Sequence, residues 1–197
     1  MKRERIVQGL LNNNLQMSTI STLFRTEERL NLLQAALSAS TFTVQQIATR
    51  TGLSKGLVSP YLTLMKQEGL ISRIDRTYQI KISARTVAIK RLLNVDLVSS
   101  VYKKPAWAYG IGMFGSWADG TNTDESDLDL WVFTGTLPSS IMIAELERHV
   151  SRSLSVQVHI LILTREKIAA MKNSDEPFYR SFVKQSITLE GDTPEYA

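Results

Sequence analysis

In the segment GSWADGTNTDESDLDLWVF, residues 115–133, two carboxylates, Asp127 and Asp129, stand one residue apart at the entrance to an apolar run. In an extended chain the side chains at i and i+2 leave the same face, about 7 Å apart along the backbone, so the two acids converge on one region of space. Like charges placed this way repel unless a cation lies between them. Gly115 permits close backbone approach and Ser116 offers a hydroxyl, as a phosphate cradle requires. Two carboxylates opposite such a cradle suit Mg²⁺ (or Mn²⁺) held against a triphosphate, because a hard cation takes one or two carboxylates plus phosphate oxygens.

The elements that must position these groups follow from periodicity. Leu128, Leu130 and Val132 alternate with Asp127, Asp129 and Trp131, which predicts a strand with its leucines buried and both aspartates on the opposite, open face. An apolar approach through Tyr109, Ile111, Met113 and Phe114 precedes it, and a later strand over 155–163 sets Gln157, His159 and Leu161 on one face. Trp117 is a candidate for stacking on a base, with core or rim packing expected of Trp107, Trp117 and Trp131. Glu145, Glu147 and His149 are expected to face solvent on a helix after Pro138.

The spacing of Gly115-Ser116, Gly120 and Ser126-Asp127-x-Asp129-Leu130 resembles the signature of the DNA polymerase beta-like nucleotidyltransferase superfamily, and more closely its small, minimal branch. The resemblance covers about residues 105–192, including EPFYRSFVKQSITLEGD near the end. It implies a mixed-sheet domain that takes an NTP. Asp127 and Asp129 would be catalytic metal ligands, and Gly115, Ser116 and Ser126 would lie at the nucleotide. It also implies a third carboxylate on the later strand, which helps hold a second ion in an in-line displacement. Two positions depart from the pattern. No Asp or Glu lies between Glu147 and Glu166, so His159 or Gln157 falls where that acid is expected. Asp119 stands where the family commonly has arginine. An imidazole accepts a proton but supplies no charge for a second Mg²⁺, and an anion near phosphates weakens nucleotide binding.

The first half differs in charge. Residues 1–104 hold 16 Lys and Arg against 6 Asp and Glu, residues 105–197 hold 7 against 13, and the two stretches therefore sit at +10 and −6. Such asymmetry argues for two domains with different partners, the basic one suited to a polyanion. With no cysteine, neither disulfides nor thiolate chemistry is available. No apolar run reaches the roughly 18 residues that span a bilayer, no long apolar leader opens the chain, and a cytoplasmic location without membrane contact is expected.

Thr26 with Glu27 and Glu28 predicts a capped helix running to about Ser38. Thr43 opens a short helix that Gly52 breaks, and Ser54 opens a second that presents Val58, Leu62 and Met65 inward until Gly69. Leu70–Arg73 and Tyr78–Ile82 read as a small hairpin. TVQQIATRTGLSKGLVSPYLTLMKQEGLISR resembles the core of bacterial and archaeal winged helix-turn-helix regulators. Carried over to this sequence, the resemblance places Ser54, Lys55, Gly56, Ser59 and Thr63 in the major groove of double-stranded DNA, with Lys66 behind them, and Arg73, Arg76 and Tyr78 on the wing. Pro60 interrupts the expected recognition helix, which either kinks there or begins its regular part at Pro60, with Ser59 as its cap. A basic-faced helix then leads out from Ser83, and Lys103-Lys104-Pro105 ends it.

The expectation is an α+β chain with an N-terminal helix and linker over 1–24, a winged helix-turn-helix domain over 25–100 and a nucleotidyltransferase-like domain over 105–192. Three functions fit it. One is an Mg²⁺-dependent nucleotidyltransferase tethered to DNA. The second is a transcriptional regulator whose weak or inactive site senses nucleotide, and the third is an antitoxin-like module held to a protein partner. Analogy with winged-helix regulators also allows a homodimer.

Overall fold

The computed structural model describes residues 19–194, so all but the end of the helix and linker expected over 1–24 lies outside the described residues. The chain forms two compact units, one ending at Lys81 and the other starting at Ile82. Among the described residues, no helix is long and apolar enough to cross a membrane.

The first unit contains α1 (Thr19–Leu23), α2 (Glu27–Ser38), β1 (Thr41–Phe42), α3 (Val44–Thr51), α4 (Lys55–Gln67), β2 (Ile71–Ile74) and β3 (Thr77–Ile80). Local chemistry sets its boundaries. The Thr26 hydroxyl accepts from the Arg29 amide at the start of α2, and Thr43 and Gln46 form a reciprocal capping box at α3. Leu33, Leu37, Ile47, Val58, Leu62 and Met65 are buried. The strands pair antiparallel in the order β1-β3-β2, with Phe42 opposite Tyr78 and Ser72 opposite Gln79. The two-residue β1 was not anticipated, because its pairing partner lies far away in sequence. Helix α4 runs unbroken through Pro60 rather than starting there. The proline forfeits one backbone hydrogen bond, to Gly56, while Val58, Tyr61, Leu62 and Met65 still anchor the helix by burial.

The second unit contains α5 (Ala84–Val101), β4 (Ala108–Phe114), α6 (Gly115–Asp119), β5 (Leu128–Thr134), α7 (Ser140–Leu154), β6 (Val158–Leu163), α8 (Arg165–Ser174), α9 (Glu176–Gln185) and β7 (Ile187–Gly191). Its mixed sheet has the order β6-β5-β4-β7, with β5 and β6 parallel and the other pairs antiparallel. On one face Ile111, Met113, Leu128, Leu130, Val132 and Ile162 pack with Val98 of α5 and with Leu146 and Val150 of α7. On the other, Trp131, Phe133 and Leu163 pack with Ile168 of α8 and Phe182 of α9.

Helix α5 belongs to this second unit, although the sequence suggested a boundary at 100–105. The cause is a buried stripe at four-residue spacing, Thr86, Lys90, Asn94 and Val98. Asn94 donates to the Trp117 carbonyl and to Asn122 Oδ1, both at 2.8 Å, and the Lys90 ammonium donates to the Asn122 carbonyl. Burial lowers the Lys90 pKa, as expected for an ammonium taken out of water without a carboxylate partner.

Candidate functional site

The site begins where β4 turns into α6. Gly115 has φ of +66°, and a Cβ there would stand 2.6 Å from Asp129 Oδ2. Only glycine meets both demands, so the turn and the carboxylate lie in direct apposition. Helix α6 is a single turn, closed at Gly120 with φ of +71°. Its carbonyl at Ser116 accepts from the amides of Gly120, Thr121 and Asn122. A Cβ on Gly120 would meet the Val87 carbonyl at 2.6 Å, so the second glycine of the motif lets α5 close on the loop.

The carboxylates occupy different settings. Asp129 lies in β5, opposite Phe114 of β4 and beside His159 of β6. Asp127 precedes the strand, in the loop, and is exposed. Its Oδ2 stands 3.4 Å from His159 Nε2, and Gln157 Nε2 stands 3.1 Å from the same ring nitrogen. His159 and Gln157 therefore do occupy the neighbourhood expected of a third acid. The Asp129 pKa is raised, first by partial burial and further by the charge of Asp127, with His159 pulling the other way. Such a pair gains from a divalent cation. Among the described residues no group of three His, Asp or Glu side chains is gathered closely enough to hold a metal ion. Phosphate oxygens and water would have to complete the coordination shell, which is ordinary for Mg²⁺. The donor set and the Gly115 cradle fit one such ion.

Several expectations change. Ser126 turns inward on its own loop, where its hydroxyl accepts from the Thr123 amide at 2.9 Å. That contact shapes the approach to Asp127. Trp117, by contrast, is buried in the core as expected of it, and its indole donates to the Ser126 carbonyl at 3.3 Å, so it pins the loop. The face opposite the leucines is open only at its Asp129 end, because Trp131 is fully buried beneath α8 and α9. Glu147 does not simply face solvent: its carboxylate accepts from the Ile160 amide of edge strand β6 at 3.3 Å. His149 reaches the Val101 carbonyl at 3.0 Å. Sequence reasoning missed Lys90, Asn94 and Asn122, which hold the loop from behind. The detectable signal was a pair of polar residues, four apart, in a stripe otherwise ending in Val98.

In the first unit, Lys55, Ser59, Arg73, Arg76 and Tyr78 line one concavity of about 610 Å³ together with Gln45. Ser54, Thr63 and Lys66 are exposed but do not line it. The Thr63 hydroxyl instead donates to the Ser59 carbonyl at 3.0 Å. Tyr78 is buried, not displayed. Its ring stacks on Phe42 with centroids 5.8 Å apart, and the Arg73 guanidinium lies 5.6 Å from its centre. Tyr78 thus supports Arg73 from below.

Residues 95–188 match the family model described as a nucleotidyltransferase domain. No curated protein matches the chain. Among solved structures, it is similar to a complex of MNT antitoxin with tri-AMPylated HEPN toxin from Shewanella oneidensis, at 18% identity and a TM-score of 0.36, covering 54% of this chain and 76% of that one. A toxin–antitoxin structure with AMP-PNP is 21% identical, with a TM-score of 0.35 and coverage of 51% and 73%. A mutant MntA toxin–antitoxin structure is 19% identical, with a TM-score of 0.36 and coverage of 53% and 76%. The match over 95–188 takes in the glycine turn and both carboxylates, and over that stretch the chain is similar to a nucleotidyltransferase domain.

Proposed function

We propose that the chain transfers a nucleoside monophosphate from an NTP to a hydroxyl on a protein partner, as an antitoxin-like module would. The observation that carries this is the apposition of Gly115 and Asp129, with no room for a Cβ between them. It brings the backbone of the Gly115 turn directly against a carboxylate that gains from a cation. In this mechanism Asp127 and Asp129 would hold a divalent cation, Mg²⁺ or Mn²⁺, which would neutralise triphosphate charge when bound. Ser116 and the backbone at Gly115 orient the phosphates. The acceptor oxygen attacks the α-phosphorus as its proton passes to solvent water, the bond to the bridging oxygen breaks, and pyrophosphate leaves with the displaced electron pair. With one imidazole where a third acid is expected, the site is suited to slow modification of a bound partner. Leu137, Ile141 and Met142, exposed together around the start of α7, are available for such a partner.

The test is label transfer. The chain, α-labelled NTP and Mg²⁺ are mixed with the protein encoded beside it, and the label on that protein is followed. Asp127→Asn is expected to abolish transfer, and unchanged transfer in that variant would refute the assignment.

A second reading rests on a different observation. Lys55, Ser59, Arg73 and Arg76 share one concavity beside α4 and the β2–β3 hairpin, which supports a winged helix-turn-helix unit that contacts double-stranded DNA. A duplex bound there is expected to be released steeply by salt, and a lack of duplex binding at low ionic strength removes this role. A homodimer, by the analogy noted above, would show in the same experiments as a doubled mass in solution.

A further inference from the structure

The residue standing where a third carboxylate is expected brings a nitrogen donor to an otherwise oxygen-donor site. Resting on the transfer site proposed above, we infer that His159 is a metal ligand together with Asp127, and that it shifts the preference of the site from Mg²⁺ toward a first-row divalent ion such as Mn²⁺.

Three observations carry this. The first is placement: parallel pairing sets His159 beside Asp129, on the face of the sheet that ends at the Gly115 turn. The second is separation. His159 Nε2 and Asp127 Oδ2 are 3.4 Å apart, and two donors bound to one ion at about 2.1 to 2.2 Å stand roughly 3.0 to 3.5 Å apart at cis octahedral or tetrahedral angles. Both side chains are about half exposed, at 54% and 49%, so an ion can reach them without rearrangement of the core. The third is charge. Asp127 and Asp129 supply two carboxylates, which one divalent cation balances, whereas three carboxylates suit a pair of ions.

Donor chemistry then sets the preference. Mg²⁺ demands near-ideal oxygen coordination and dehydrates reluctantly, while imidazole is a ligand for first-row divalent ions. A mixed N,O set therefore gives up little with Mn²⁺ and more with Mg²⁺. His159 acts here as a lone-pair donor, so an ion at its Nε2 takes the place of the Gln157 amide, which stands 3.1 Å from the same nitrogen.

The test uses the full chain with Mn²⁺ alone, read by electron paramagnetic resonance. Free Mn²⁺ reports affinity, Mg²⁺ competition reports preference, and pulsed detection reports nitrogen bound to the ion. Nitrogen coupling is expected in the wild type and in His149→Gln, and is expected to vanish in His159→Gln. The Mg²⁺ concentration that displaces half the Mn²⁺ is expected to fall about tenfold in His159→Gln, at the low end of what ligand-shell losses cost. Bound Mn²⁺ without nitrogen coupling, or coupling that survives His159→Gln, overturns the role of His159 and leaves the transfer site standing. Failure to bind Mn²⁺, or binding unaffected by Asp127→Asn, overturns both.

Discussion

Replacing Gly115 by alanine separates two constraints that meet at one position. The first is backbone conformation: φ of +66° costs a residue with a Cβ about 1–2 kcal/mol. The second is space. The new Cβ would lie 2.6 Å from Asp129 Oδ2, but 3.6 Å from its Cγ and 3.8 Å from its Cβ, so the conflict is confined to the carboxylate oxygen. Forcing a partly exposed carboxylate aside adds about 1 kcal/mol, the low end of overpacking penalties. The total is about 2–3 kcal/mol in the wild-type background. In an Asp129→Ala background only the backbone cost remains, about 1–2 kcal/mol, because the nearest remaining atom, the residue-129 Cβ at 3.8 Å, is an ordinary contact. The assay is urea unfolding followed by tryptophan fluorescence. The three tryptophans, Trp107, Trp117 and Trp131, all lie in the second unit, so the signal reports that unit alone. A double-mutant cycle measures the coupling directly. Equal costs in the two backgrounds, or no cost in the wild type, would refute the claim that the turn and Asp129 are in apposition.

Asn94→Leu leaves the Trp117 carbonyl and Asn122 Oδ1 without their donor in a buried setting, and is expected to destabilise the second unit by about 2–6 kcal/mol, at about 1–3 per orphaned group, read by the same fluorescence transition. Asp129→Asn is expected to stabilise the metal-free protein at neutral pH. The raised folded-state pKa means the folded wild type binds more protons than the unfolded chain in that range, so its stability falls as pH rises above the ordinary value of 3.8. The advantage of the variant is therefore expected to grow from pH 3.5 to 6, and a constant difference in unfolding midpoint across that range would contradict it. Arg76→Ala, outside the second unit, is expected to weaken duplex binding uniformly across sequences and reduce the log–log salt slope by about 1, measured by fluorescence anisotropy at several salt concentrations.

The parts of the fold that proved legible are those decided by near neighbours. Thr26, Thr43 and Ser83 cap the helices that follow them, because a side-chain oxygen needs only the amide three residues on. The alternation of Leu128, Leu130 and Val132 marked the buried face of β5 for the same local reason. Misreadings arose where a distant partner decides. Tyr78 looked like a surface contact until Phe42 of a two-residue strand stacked against it. The boundary moved from 100–105 to 81–82 because Lys90 and Asn94 find their acceptors 23 to 32 residues later. No local pattern reveals such a partner.

By itself, then, the amino-acid sequence determined the chemistry on offer: two carboxylates at i and i+2, two glycines at turn positions, a hydroxyl beside the first, and no third acid on the later strand. Residue types and short spacings carry that information, since each is a property of the chain before it folds. Tertiary structure alone decided who meets whom. Sheet pairing placed His159 beside Asp129 and within 3.4 Å of Asp127, turned Ser126 into its own loop, and backed the glycine turn with a helix that sequence had assigned elsewhere. The physical reason is that register and burial are settled by contacts between residues far apart along the chain, where the solvation of every polar group must be satisfied at once.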